Sequence, residues 1–417
     1  MEDNAPLISN DAVVLGLLLA TLAFVFATSA SKHPFWVKFY TYVPTVLLCY
    51  FIPAVFNSLG LISGESSELY RVASRYLLPA SLVLFTISID LKGILRLGPK
   101  ALTMFLAGTL GIMIGGPVAL LTVGFFYPEI YSGTGPDEIW RGLSTIAGSW
   151  IGGGANQTAM LEVFGASPTL FGQMIAVDVL VANMWMAILL YWAAKPEKFD
   201  RFLKADTSAI YELRDRIAKH REGIMKIPSL GDTMLILGFG FGVTGVSHLA
   251  ADFLAPWFGT NYPQLNQYSL NSAFFWIVVI ATTAGLLLSF TRARNLEGAG
   301  ASRTGSVLLY VLVATIGMQM DLGAVLDSPI LFLVGIIWMI VHAIIMIIVA
   351  WIIKAPFFYV AVGSQANVGG AASAPIVASA FDPSLASVGV LLAVLGYALG
   401  TYGAYLCGLV MQSISGM

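Results

Sequence analysis

Long apolar runs separated by short polar breaks fill this chain, and the lengths of those runs are the first guide to its fold. A helix needs about 20 largely apolar residues to cross about 30 Å of hydrocarbon. Four runs meet that length early, at 11–30, 36–57, 76–95 and 101–126. The next run, 140–164, reads IWRGLSTIAGSWIGGGANQTAMLEVF, long enough to span but filled in its middle with glycine and amide side chains. An ordinary run follows at 168–194, and a charged stretch from Lys195 to Lys226 then divides the chain. The order repeats beyond it. Ordinary runs lie at 230–255, 272–291, 304–321 and 329–353, then a second polar-centred segment at 355–381 (APFFYVAVGSQANVGGAASAPIVASAF) and a last run at 384–412.

The pattern predicts an all-α integral membrane protein, and composition agrees. The chain has 417 residues, 58% hydrophobic and only 11% charged, with mean hydropathy +0.83; a soluble domain carries roughly 25% charged residues. The first run, Val13 to Ala27, follows the acidic Met1-Glu2-Asp3 and has no small-residue cleavage site before Lys32, so it reads as a retained membrane helix. Cys49 and Cys407 lie far apart in apolar stretches and form no metal or disulfide framework. No basic patch interleaved with aromatics invites nucleic acid. No nucleophile–base motif, zinc signature or phosphate-binding loop is present, so the chain reads as neither an enzyme nor an ATP-driven pump.

The halves match in sequence. Gly148-Ser149 pairs with Gly363-Ser364, Gly154 with Gly369, Thr158 with Ser373, Ala159 with Ala374 and Pro168 with Pro383; earlier, Asp90-Leu91 echoes Asp321-Leu322. The common order points to duplication, with a first repeat at 1–194, a linker at 195–227 and a second repeat at 228–417. Charge then sets the topology. If 140–164 enters and returns on one side, 18 of the 21 Lys and Arg residues fall on the cytoplasmic side, as such loops require. Only Arg71, Arg75 and Arg141 remain outside. If 140–164 crosses instead, the basic loops split 5 against 13. The first arrangement puts the N-terminus outside and the linker inside. It gives each half five crossings and a re-entrant hairpin, and so inverts the halves. Charge does not test the hairpin at 355–381, which rests on the repeat.

Inverted repeats with interrupted segments at matching positions mark secondary transporters. Non-helical backbone at membrane depth must be buried in protein or line a polar cavity. Unwinding frees carbonyls for a cation and leaves amide N–H groups at helix N-termini for an anion. The first break offers Ser149, Gly152, Gly153, Gly154, Asn156, Gln157 and Thr158; the second offers Ser364, Gln365, Asn367, Gly369, Gly370 and Ser373. Close helix packing alone accounts for the glycines. It accounts poorly for Asn156, Gln157, Gln365 and Asn367, because amides in hydrocarbon need partners. Asp178 sits about 15 Å into its helix at 1.5 Å per residue, and intramembrane carboxylates usually mark ion pathways. Asn183 lies at similar depth, about 140° round the same helix from Asp178 at 3.6 residues per turn. His342 reads as a packing residue, and Glu162 as a solvated group near the outer boundary. Asp90 and Asp321 read as helix closures and Asp382-Pro383 as a helix start.

The segments GSWIGGGANQTAM at 148–160, SQANVGGAASAP at 364–375 and VPTVLLCYFIPAVFNSLGLI at 43–62 resemble the YjcL-like family of bacterial, archaeal and plant membrane proteins. The resemblance covers nearly the whole chain. It implies membership of the superfamily of cation/proton antiporters and anion transporters, which includes bile acid symporters, and similarity to sodium–glutamate and sodium–citrate symporters. It further implies a core around the hairpins sliding against a scaffold, an elevator motion, with a scaffold that often dimerises. The paired Asp motif of electrogenic sodium/proton antiporters is missing here.

The resulting expectation is a sodium-coupled symporter of a small organic anion or amino-acid-like solute in the cell (plasma or inner) membrane. It would be a homodimer that needs no cofactor beyond the coupling ion. Asn156, Gln157, Thr158, Gln365, Asn367 and Ser373, with Gly153, Gly154, Gly369 and Gly370, would line the solute site. Asp178, Ser149, Ser364 and Asn183 would hold Na⁺, because hydroxyls, amides and freed carbonyls are hard oxygen ligands. The rival expectation is a cation/proton antiporter without organic substrate, with Asp178 as the exchanging carboxylate.

Overall fold

Proline and short polar side chains set where the helices begin. Pro34, Pro99, Pro168, Pro196 and Pro329 each open one, where the missing N–H costs nothing and the fixed φ suits the first turn. Asn10, Ser167, Ser229 and Ser272 cap others by accepting a backbone N–H, Ser229 in a capping box with Asp232. The computed structural model describes residues 6–43, 45–64, 66–205, 227–320, 329–382 and 385–416, and among them it is all-helical. In chain order the helices are α1 (Asp11–Ser29), α2 (Pro34–Tyr42), α3 (Thr45–Ser58), α4 (Leu69–Val72), α5 (Leu78–Ile87), α6 (Leu91–Arg96), α7 (Pro99–Phe126), α8 (Ile139–Gly152) and α9 (Gly154–Phe164). They continue as α10 (Pro168–Ala193), α11 (Pro196–Leu203), α12 (Leu230–Asn261), α13 (Ala273–Leu288), α14 (Ala301–Gly317), α15 (Pro329–Ile353), α16 (Phe357–Val368), α17 (Gly370–Phe381) and α18 (Ala386–Ser415). Among the described residues six helices are long and apolar enough to cross a membrane: α1, α7, α10, α12, α15 and, from Val388, α18. The chain is a multi-pass α-helical membrane protein.

Two expected spans are corrected. The run 36–57 is not one helix: α2 stops at Tyr42 and Val43 is extended, because a residue before proline is driven out of the α region. The run 76–95 is displaced toward the N-terminus. Its helix begins at Leu69, passes through a π-helical turn at Ala73–Leu77 and ends at Ile87. Pro79 has no N–H to give the Arg75 carbonyl four residues back; the His248 imidazole of α12 takes that place at 2.8 Å. Asp90 does not close that helix. It caps the start of α6 through the Gly93 N–H (3.0 Å) and pairs with Arg294 (2.7 Å). Asp382 is extended just past the end of α17, and Pro383 lies outside the described residues. Asp321 and most of the linker lie outside the described residues.

The two glycine-rich segments are hairpins. At the first, Gly153 takes φ +78° between α8 and α9, a conformation that favours glycine. The limbs fold back so tightly that a Cβ on Gly148 would lie 2.5 Å from the Asn156 carbonyl oxygen. Both ends of the hairpin stand side by side, with Trp140 and Phe164 ring centroids 5.3 Å apart and Arg141 bonded to the Phe164 carbonyl. At the second, Gly370 takes φ +60° between α16 and α17, and Phe358 and Phe381 meet at 5.3 Å where the limbs begin and end. α10 starts just past the foot of the first hairpin and leads into α11, whose Phe199 packs on Phe357 (4.6 Å) and whose Asp200 accepts the Phe357 N–H (2.7 Å). The hairpins are therefore rooted at opposite ends of the bundle.

Packing divides the helices into two groups. α1, α3, α5, α12, α13 and α14 pack chiefly on one another, as do α7, both hairpins, α10, α15 and α18. Polar ties cross between the groups. Glu162 of α9 is not solvated as expected: it pairs with Arg75 (3.4 Å) and takes the Tyr70 hydroxyl. Thr283 and Tyr402 hydroxyls meet at 2.6 Å, and Tyr405 bonds to the Tyr268 carbonyl.

Candidate functional site

The hairpin tips meet at a cavity of about 450 Å³ on the seam between the two groups. Gly153, Gly154 and Gln157 reach it from the first hairpin, and Gln365, Gly369, Gly370 and Ser373 from the second. α10 contributes Asp178 and Asn183. Across the seam stand Tyr50 of α3, Phe85 of α5, and Ser306, Leu309 and Tyr310 of α14, with Tyr397 of α18 stacked on Phe85 at 4.4 Å. Among the described residues Asp178 is the only charged side chain in this wall.

Asp178 is held by the first hairpin from both limbs. Ser149 Oγ and Trp150 Nε1 donate to it from α8, each at 2.6 Å, and Gln157 Nε2 donates from α9 at 3.0 Å. All three act as donors, the pattern an ionised carboxylate accepts. The group thus faces the cavity while locking the two limbs together.

The second hairpin is tied by neutral groups. His342 Nδ1 lies 3.1 Å from the Gly108 carbonyl and Nε2 lies 2.8 Å from Ser364 Oγ, which also receives Trp185 Nε1–H at 2.8 Å. A carbonyl only accepts, so Nδ1 carries the proton and Nε2 accepts from Ser364. Every polar atom of His342 is used, as its packing reading anticipated.

Two asparagines do the same work on the two hairpins. Asn156 donates to the Gly152 and Tyr397 carbonyls (3.1 and 2.9 Å) and accepts from Thr401 (2.6 Å). Asn367 donates to the Gly363 and Phe105 carbonyls (both 2.9 Å) and accepts from Thr109 (2.8 Å). In each case the threonine follows a glycine, Gly400 or Gly108, where a Cβ would stand 2.6 or 2.7 Å from the amide nitrogen. The structure places Asn156, Asn367, Thr158 and Ser364 behind the cavity wall, with Thr158 bonded to the Gly154 carbonyl (3.0 Å). Ser149 and Asn183 are in the wall, the first spent on Asp178 and the second giving its amide to the Val179 carbonyl (2.6 Å).

Two wall residues keep a polar atom without a partner. Gln365 gives its amide nitrogen to Ser373 Oγ (2.7 Å), but its Oε1 is unpaired, and so is the Tyr50 hydroxyl; both residues are only 2% exposed. Such buried atoms cost about 1–3 kcal/mol each and call for a water, ion or ligand. The turns add backbone donors. α9 and α17 start at the cavity with no side chain capping either N-terminus. Among the described residues no group of three or more His, Cys, Asp or Glu could hold a metal ion.

Sequence reasoning did not identify Tyr50, Phe85, Tyr310, Tyr397, Trp150 or the two threonines. The aromatic wall gives no signal in an apolar run. The threonines had one, the Gly108-Thr109 and Gly400-Thr401 dipeptides beside the asparagines' helices.

The family described as "Protein of unknown function (DUF819)" matches residues 16–414. An "Uncharacterized membrane protein YjcL" of Bacillus subtilis (strain 168) is 23% identical over 363 residues, covering 84% of this chain and 85% of the relative.

Proposed function

This chain belongs to the DUF819 family, and we propose that it is a secondary active transporter of a small organic solute, coupled to Na⁺. The observation that supports this best is the meeting of two oppositely rooted hairpin tips at one cavity, on the seam between two helix groups. In this reading the group with the hairpins is the mobile core and the other the scaffold. Residues 1–194 and 228–417 are inverted repeats of five crossings, joined by a cytoplasmic linker in the cell membrane, and the N-terminus faces out. The core carries its cavity past the scaffold, an elevator movement, and the scaffold is the dimer's contact.

The cavity chemistry fits coupling to a hard cation. Gln365 Oε1 and Tyr50 Oη are oxygen ligands without partners, with Asp178 and the Asn183 amide in the same wall. Oxygen donors suit Na⁺, while the one carboxylate here has three donors to release before it could exchange protons. That weighs against the antiporter reading.

Purified protein in liposomes tests the proposal. An inward Na⁺ gradient should drive uptake of a small carboxylate, and Na⁺ should raise the unfolding temperature. Uptake that follows a proton gradient and ignores Na⁺ would remove the sodium claim. Exchange of cations for protons with no solute would restore the antiporter.

A further inference from the structure

Two helix ends meet at each hairpin turn, and their dipoles act together. α8 ends and α9 begins at Gly153; α16 ends and α17 begins at Gly369–Gly370. A helix presents roughly +0.5 of an elementary charge at its N-terminus and roughly −0.5 at its C-terminus, so the two contributions offset at each turn. The fixed charge of the wall is then the single negative charge of Asp178, because among the described residues no Lys, Arg or His lines the cavity. One Na⁺ balances it. A solute with a net charge of its own would leave that charge uncompensated away from water, which a buried site penalises heavily.

The open hydrogen-bonding positions of Gln365 and Asp178 call for a donor. Gln365 gives its nitrogen to Ser373 and keeps Oε1 unpaired at 2% exposure. Asp178 Oδ2 receives Ser149 and Gln157, but Oδ1 receives only Trp150. One of the carboxylate's about four lone-pair positions therefore stays open. Both atoms are acceptors, and neither has anything to offer an anion. Around the same space stand the rings of Tyr50, Phe85, Tyr310 and Tyr397, whose faces attract a cationic group and take an apolar body.

Resting on the Na⁺-coupled transporter reading above, we infer that the solute is a zwitterion, a protonated amine and a carboxylate on an apolar body, recognised by its amine. Gln365 Oε1 accepts from the ammonium, and the aromatic rings cover it. Asp178 holds the Na⁺, and the solute carboxylate, which no cationic side chain meets, lies against that ion. The loaded cavity is neutral, whereas the empty one carries the charge of Asp178. Each cycle thus moves one net positive charge in the direction of the solute.

Compounds that share one apolar body separate the charges: phenylalanine as zwitterion, phenylpropionate as carboxylate alone and phenethylamine as ammonium alone. Leucine, isocaproate and isopentylamine form a smaller set. Each is tested for protection of Ser306→Cys from a maleimide in the full-length protein, whose two native cysteines are buried. With Na⁺ present, the zwitterion of at least one set should protect at concentrations at least about tenfold below those of its two partners, a difference of about 1.4 kcal/mol. Wild-type thermal shifts with the same compounds give an answer independent of that variant's folding. Gln365→Leu should erase the preference for the zwitterion over the carboxylate alone. Liposome uptake of the zwitterion should need Na⁺ and rise with an inside-negative potassium–valinomycin potential. Equal or stronger protection by the carboxylate or the amine, a preference that survives Gln365→Leu, or uptake indifferent to the potential overturns the zwitterion inference and leaves the transporter reading standing. So does Na⁺-driven uptake of a small carboxylate without an amine when neither zwitterion protects. If no compound protects the cavity and no small carboxylate is taken up, both readings fall.

Discussion

The first hairpin is clamped by a carboxylate that reaches both of its limbs, the second by a neutral histidine–serine–tryptophan relay on one limb alone. α10 takes part in both, with Asp178 toward the first and Trp185 toward the second. Their asparagine–threonine struts are otherwise alike. The difference shows which fastening has to do with the ligand. Asp178 stands in the cavity wall, whereas His342 and Ser364 sit behind it. The second hairpin brings to the cavity not a charge but the unpaired amide oxygen of Gln365.

Breaking the charged clamp should do the most damage. Asp178→Ala strands three buried donors and is expected to cost about 3 kcal/mol or more, seen as a large fall in unfolding temperature together with loss of the Na⁺ shift. An unchanged Na⁺ shift would separate Asp178 from ion binding. His342→Leu strands the Gly108 carbonyl and loosens Ser364, at about 1–3 kcal/mol, and should leave the Na⁺ response intact. If that response also disappears, the two fastenings are not functionally distinct. Thr109→Val and Thr401→Val each remove one strut bond, at about 1 kcal/mol, and thermal unfolding of the pair should show near-equal losses. A large inequality would mean that the likeness of the struts is only geometric.

The smallest effect lies at the foot of the second hairpin. Burial raises the Asp200 carboxyl above the ordinary carboxylate value, opposed by the Phe357 N–H and assisted by Glu197. The folded protein therefore keeps this proton to higher pH than the unfolded chain does. The associated stability is fully present below the ordinary carboxylate pKa and is lost as pH rises through the raised one. Asp200→Asn keeps an acceptor for Phe357 and should flatten that fall in a mildly acidic pH series of unfolding temperatures. An unaltered slope would place the titration elsewhere.

Much of this fold was legible because a bilayer leaves few choices. Runs at 168–194 and 329–353 were located to within a residue of α10 and α15. Glycines and amides inside apolar runs marked both hairpins, since neither could face lipid. The helix break at Val43 and the π-turn at Ala73–Leu77 were not seen, because average hydropathy is blind to proline. Asn156 and Asn367 were correctly read as needing partners. Those partners, Thr401 and Thr109, are 245 and 258 residues away in sequence, a distance that pattern alone does not bridge. Tyr50, Tyr310 and Tyr397 were invisible for the opposite reason, since an aromatic residue in an apolar run gives no sign of facing a cavity.

Two of the polar ties between the helix groups lie at one end. Glu162 with Arg75 and Tyr70, and Tyr405 with Tyr268, lie toward the foot of the first hairpin, while Thr282 with Thr401 and Thr283 with Tyr402 lie at the level of its tip. At the other end Ile89 and Ile94 meet Ala398 through apolar contact. Mechanically, that is a door with hinge pins on one edge and in the middle and a looser latch on the other edge. Tilting about the pinned edge would spare the Glu162 and Tyr405 ties, whereas full travel would part every tie between the groups. Glu162→Gln should thus speed hydrogen exchange in α4 and the π-turn more than at Ile89–Ile94, and equal speeding at both ends would show that no such pivot exists.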